Sequence, residues 1–198
     1  PNYTDRSGVT ALLVAAFGGS TNVGQALLAR GARVDAVYLT TKLSALHQAA
    51  LLGHADFVAL MLNYGARTEQ RDSTGYTPLH SAATGLNGVS LARAWGGQET
   101  GLTKEDDPGA KALPILTEYS NYVARAIASL PEPFLTGGGQ HARVAEVLLA
   151  RGASLEATNS TGGTPLWVAA RFTNQAVARV LIAHKARLNV RGFTELTP

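Results

Sequence analysis

The chain has 198 residues, Lys+Arg 17 against Asp+Glu 14, no cysteine, and 45% hydrophobic residues. That length and apolar content give one large domain or two small ones with a sizeable core, and exclude wholesale disorder. The missing cysteines exclude a disulfide scaffold, a Cys-ligated zinc site and a thiol nucleophile, and no apolar run reaches the ~20 residues that span a bilayer. The net charge of +3 comes from thirteen arginines and four lysines scattered singly. Without a basic stripe, a nucleic-acid-binding face is not expected. The opening PNYTDRSG has no signal-peptide character. With the ending Glu195-Leu196-Thr197-Pro198, the chain reads as a piece of something longer, with more repeats expected beyond its carboxyl end.

Taken in chain order, one pattern returns four times. Gly8 to Ala32 reads GVTALLVAAFGGSTNVGQALLARGA, and Lys42 to Ala66 reads KLSALHQAALLGHADFVALMLNYGA. Gly75 opens a third copy, GYTPLHSAATG, that breaks off; Gly162 to Ala186 reads GGTPLWVAARFTNQAVARVLIAHKA. Thr10 to Ser44 is 34 residues, Ser44 to Thr77 is 33, and Thr77 to Thr164 is 87, one period and a further 54. The missing half of the third copy stands at QHARVAEVLLARGA, Gln140 to Ala153, and Thr197 opens a fifth copy.

Each copy predicts two helices. Thr77 and Thr164 are N-caps, and Pro78 and Pro165 suit a first turn, where no N–H is needed. The Ala pairs at 15–16, 49–50, 82–83 and 169–170 keep one face of this inner helix thin, so that neighbours approach closely. The second, outer helix carries the apolar load: Phe57, Val58, Leu60, Met61 and Leu62 in one copy, Val144, Val147, Leu148 and Leu149 in the next. Gly31, Gly65 and Gly152 end these helices where a left-handed residue is needed. Lys185 holds that slot in the last copy and predicts a different or strained end. Polar stretches such as Arg71-Asp72-Ser73-Thr74-Gly75 predict hairpin-like turns.

Between the two halves of the third copy lies an insertion, residues 85–139. Leu86 to Gly109 has loop chemistry, and the Gly137-Gly138-Gly139 run reads as a flexible return. It precedes a helix from Gln140, but no Lys-Ser/Thr follows, so a phosphate cradle is not expected. An extra helix is predicted from Pro114 to Leu130, where Ile115, Tyr119, Tyr122, Val123 and Ile127 fall on three- and four-residue steps. The insertion is either a lobe packed on the repeats or a recognition element that uses Trp95, Tyr119 and Tyr122.

A 33-residue period, with Thr77-Pro78-Leu79-His80-Ser81-Ala82-Ala83, Ser44-Ala45-Leu46-His47-Gln48-Ala49-Ala50 and Thr164-Pro165-Leu166-Trp167-Val168-Ala169-Ala170 in phase, resembles the ankyrin repeat. The resemblance implies an all-α solenoid of helix-turn-helix units with β-hairpin-like loops. The repeats fall at 4–36, 37–70, 71–157 (interrupted), 158–190, and a truncated start at 191–198. It implies that His47 and His80 bridge to neighbouring backbone, and that His54 and His141 are structural too. Leu13 and Trp167 replace the histidine and predict hairpins held in another way.

The resemblance also implies a working surface of hairpin tips and the exposed side of the inner helices. Thr4, Tyr38, Arg71 and Thr158 precede the hairpin Asp slot in this phase. The candidate partner-binding residues are Arg6, Phe17, Tyr38, Leu43, Arg71, Ser73, Tyr76, Arg171 and Phe172, because aromatic and arginine side chains dominate interface hot spots. The expected function is non-catalytic binding of a protein partner by a monomer, inside the cell in cytoplasm or nucleus. No catalytic residue, cofactor, metal or membrane is expected, and oligonucleotide binding ranks last. The alternative is a regulatory or substrate-binding arm of a larger enzyme or sensor.

Overall fold

The computed structural model describes residues 2–5, 8–85 and 138–188. Among them are eight helices: α1 Ala11–Phe17, α2 Thr21–Ala29, α3 Ala45–Leu51, α4 Ala55–Asn63, α5 Pro78–Thr84, α6 Gly138–Ala150, α7 Pro165–Arg171 and α8 Gln175–Ala183. The described residues hold no sheet; Thr4 with Thr10 and Val37 with Ser44 form isolated antiparallel bridges at the base of two hairpins. Residues 86–137, with the helix predicted from Pro114 and with Trp95, Tyr119 and Tyr122, lie outside the described residues, as do Arg6 and the start of the fifth copy at 191–198.

The inner helices α1, α3, α5 and α7 have seven residues each, too short to persist alone. Local caps start them and packing keeps them. Thr10, Ser44 and Thr164 hydroxyls accept from the N–H of Leu13, His47 and Trp167, and Pro78 and Pro165 stand at the first turn. Each inner helix pairs with the outer helix that follows it, and each row stacks on its neighbours, α1–α3–α5–α7 and α2–α4–α6–α8. Helix α5 pairs with α6 across the intervening segment, and α6 lies between α4 and α8.

The core runs along the seam between the rows. Leu12, Leu46 and Leu79 fill the same place in successive inner helices, and Phe57, Val144 and Val177 do so in the outer ones, each 0–1% exposed. The Ala pairs of α1, α3 and α5 are buried, as the thin-face reading requires.

Three local expectations need adjustment. Helix α6 begins at Gly138, not Gln140, and has 13 residues where its counterparts have 9. The turn anchored by Val144 and Leu148 propagates backward, which the low helix propensity of glycine conceals in the sequence. Lys185 does not alter its helix end: it takes φ 67, beside φ 82, 86 and 82 at Gly31, Gly65 and Gly152. Its N–H bonds to Ile182 O as theirs bond to Leu28, Leu62 and Leu149, so the strain stays in the backbone. In the second hairpin Tyr38 does not precede the Asp slot but occupies it. Its N–H bonds to Leu43 O five residues on, where Asp72 and Asn159 reach four residues to Tyr76 O and Gly163 O.

Candidate functional site

The hairpins form a fixed row. Asp72 Oδ1 accepts from Thr74 N (2.8 Å), Thr74 Oγ1 (2.7 Å) and Tyr76 N (2.9 Å). Asn159 Oδ1 repeats this with Thr161 N, Thr161 Oγ1 and Gly163 N, and Asp5 Oδ1 accepts from Val9 N at 2.8 Å. A short polar side chain thus folds these three loops onto themselves. Neighbouring loops are then joined: Ser73 N donates to Thr41 O at 2.9 Å, and Ser160 N to Thr74 O at 3.1 Å. The Arg71 guanidinium donates to Gly75 O (2.9 Å) in its own hairpin and to Thr158 O in the next.

Imidazoles tie the hairpins to the helices below. Ser44 N and Thr77 N donate to Nδ1 of His47 (3.3 Å) and His80 (3.2 Å). A backbone N–H can only donate and a carbonyl can only accept, so each ring is neutral with its proton on Nε2. That proton goes to the following hairpin: His47 Nε2 donates to Tyr76 O and His80 Nε2 to Gly163 O, both at 3.0 Å. Burial is the main cause of lowered pKa values, opposed by these carbonyls; His80 falls to about 4, and His47 shifts in the same direction. Both shifts agree with the neutral tautomer that the geometry requires.

A second ladder runs the opposite way on the far side of the inner helices. His54 Nε2 donates to Phe17 O (3.1 Å), His141 Nε2 to Leu51 O (2.9 Å) and Asn174 Nδ2 to Ala82 O (3.2 Å). Each satisfies a last-turn carbonyl of the preceding inner helix, a group with no partner inside that helix. Glycine is required opposite: a Cβ on Gly19, at φ 62, would lie 2.7 Å from His54 Nδ1. His54 also has a lowered pKa, first from burial, opposed by the Phe17 carbonyl and aided by the charge of His141.

On this frame the predicted contact residues divide. Ser73, Arg71 and Arg171 are exposed; Phe17, Tyr38, Tyr76 and Phe172 are half-buried. Tyr76 stacks on His80 with ring centroids 5.3 Å apart, and Tyr38 OH donates to Gln48 Oε1 at 3.0 Å. The Arg171 guanidinium sits over Trp167 at 5.5 Å, in the repeat where tryptophan replaces histidine. Leu43 is a correction: at 7% exposure it lies under its hairpin and offers no surface to a partner. Its N–H and C=O hold the loop, and its side chain is turned in with them. Arg71 joins two hairpins, so it shapes the surface as well as charging it. Sequence reasoning passed over Lys42. It is exposed and takes φ 56 where Gly8, Gly75 and Gly162 stand in the other hairpins; a lysine in a glycine slot was the available signal.

Among the described residues no group of three or more His, Asp or Glu side chains converges as a metal site would, and no helix is long and apolar enough to cross a membrane. A family model described as ankyrin repeats in three copies matches residues 12–92, and one described as ankyrin repeat matches residues 161–193. Protein phosphatase 1 regulatory subunit 27 of Mus musculus is 44% identical over 62 residues, 31% of this chain and 40% of that protein. SH3 and multiple ankyrin repeat domains protein 2 of Homo sapiens is 28% identical over 201 residues, 100% of this chain and 10% of that protein. Ankyrin repeat and KH domain-containing protein mask of Drosophila melanogaster is 33% identical over 128 residues, 65% of this chain and 3% of that protein. The chain spans less than half the length of each of these relatives. The family models, the repeat period and the stacked helix pairs agree, and the chain belongs to the ankyrin-repeat family.

Proposed function

We propose that this chain is a non-catalytic interaction module that binds a protein or peptide partner, inside the cell, across its hairpin tips and the exposed side of its inner helices. The family, and the regulatory subunit among its relatives, support a protein-interaction role. The observation that carries the choice of face is the hairpin row itself. Backbone bonds from Ser73 to Thr41 and from Ser160 to Thr74, with Arg71 joining two loops, fix it before any partner arrives. A surface already ordered loses little entropy on binding. Beside it stand Tyr38, Tyr76, Phe17, Phe172 and Arg171, the side-chain types that concentrate binding energy.

The test is capture of partners by the chain and by two variants. Ser73→Trp with Arg171→Glu obstructs the proposed face; Arg143→Glu breaks the exposed ion pair with Asp56 between outer helices. Partners lost by the first variant and kept by the second support the reading. Partners that ignore the first and depend on the second place binding on the outer helices and overturn it. A second reading, a binding arm of a larger multidomain protein, draws support from the chain's matching only 3–40% of its relatives' lengths.

A further inference from the structure

We propose that the Gln48 side-chain amide is a polar anchor for the partner, donating to a main-chain carbonyl of an extended apolar segment once Tyr38 turns aside. This rests on the reading above that the hairpin and inner-helix face is where the partner binds. The first observation is an unmet donor. Gln48 is 1% exposed, and its Nε2 has no hydrogen-bond partner. Its Oε1 accepts from Tyr38 OH at 3.0 Å. Among the described residues it is the one buried side-chain polar atom left in that state, and a buried N–H without an acceptor costs stability. The fold does not ask for an amide there: the same place, directly after the histidine slot, holds Val14, Ser81 and Val168 in the other inner helices. What is missing is an acceptor. The amide is neutral and buried, and an uncharged carbonyl loses far less on leaving water than a carboxylate does.

The second observation is independent and concerns the cover. In the other hairpins the residue at the Asp slot spends its side chain on its own loop: Asp72 Oδ1 and Asn159 Oδ1 accept three bonds each, and Asp5 Oδ1 accepts from Val9 N. None of these side chains can turn without opening its loop. Tyr38 holds that slot in the second hairpin and sends its hydroxyl to Gln48 instead. The loop is closed by backbone, Tyr38 N to Leu43 O and Lys42 N to Tyr38 O, and by Leu43 N on Thr41 Oγ1. The phenol therefore turns with its loop closed and with the Ser73–Thr41 bond of the hairpin row in place. Tyr38 is half-buried and packs against the core, so the residue that touches the amide also reaches solvent. Its departure bares apolar surface, and the segment that supplies the carbonyl must cover it with a bulky apolar side chain.

The experiment is selection of a random-peptide pool, displayed on phage, against the full chain. Recovered peptides are then titrated against the chain and its Gln48→Met, Tyr38→Phe, double and Ser73→Trp variants, at low and high NaCl. Gln48→Met keeps the length of the side chain and removes the unmet donor. It should melt at or above the parent temperature while binding about fivefold more weakly. Tyr38→Phe keeps the ring and removes its hold on the amide, so the open form is more populated and binding should strengthen about threefold. That gain should vanish in the double variant, because the two residues act on one contact. Gln48→Met that binds as the parent does, or that melts well below it, overturns the inference. So does Tyr38→Phe that binds more weakly. Where Ser73→Trp still blocks those peptides, the binding face stands. Peptides rich in Asp and Glu whose affinity collapses in high NaCl assign the oxygen to a carboxylate and overturn the inference. A pool without binders, or binders indifferent to every variant, overturns both readings.

Discussion

At the scale of single residues, the imidazoles are the most exacting feature. His80 has one nitrogen against a backbone N–H and the other against a carbonyl, so a second proton must displace the Thr77 N–H contact and turn to the Thr77 hydroxyl, 2.9 Å away. The unfolded chain takes that proton near the ordinary pKa of about 6.5, and the folded chain resists it until about 4. Between those values the unfolded state binds more protons. The His80 contribution is therefore fully present above pH 6.5 and is lost as pH falls toward 4, a change of about 3 kcal/mol. His47 and His54 act in the same direction. The urea midpoint measured from pH 7 to pH 4 should fall steadily. His80→Leu, which copies the residue already at Leu13, should flatten part of that slope. A midpoint unchanged with pH in the parent would show that these rings are not held neutral by the fold.

At the scale of elements, most of the layout was legible and the exceptions are instructive. The T-P-L-H-x-A-A phase located α3, α5 and α7, because cap, proline and thin alanine face are all local chemistry. The ends of α2, α4 and α6 were legible from Gly31, Gly65 and Gly152 for the same reason. The start of α6 was not, since its first residues are helical only by extension from Val144 and Leu148. Leu43 was misplaced because its burial depends on a loop one residue longer than its counterparts, which the repeat spacing alone did not assign to a position. Lys42 was missed because the glycine slot becomes a conformational fact only once φ is known. The pairing of α5 with α6 leads to an expectation for the segment between them. Deleting residues 86–139 leaves Gly85-Gln140-His141 between the two halves, the same length as Leu52-Gly53-His54 between α3 and α4. Shortening the closed loop recovers about 0.6 kcal/mol per halving, or about 2 kcal/mol in all. The deleted chain should keep its helical circular dichroism and melt at or above the parent temperature; a molten or insoluble product would mean that the removed segment is part of the stack.

At the scale of the whole molecule, stability in a stacked array is a sum over neighbouring contacts, so equivalent positions need not be equally costly. Val23 and Phe57 occupy the same place in successive outer helices, yet Val23 is 52% exposed and Phe57 0%. Phe57→Ala should cost about 3–5 kcal/mol and Val23→Ala under about 0.5 kcal/mol, read from chemical denaturation. Similar losses at both would refute the assigned phase. The two hydrogen-bond ladders give this array a direction. The second and third units each send a ring N–H forward to the next unit and receive a side-chain N–H back from it, through His47 and His141 at one junction and His80 and Asn174 at the other. The first unit has Leu13 where the forward donor belongs, so its junction is laced from one side only, by His54. Warmed or pulled, this stretch therefore loosens first at the junction between its first two units, where amides exchange earliest with solvent, while the doubly laced junctions after it hold and keep their hairpin row intact.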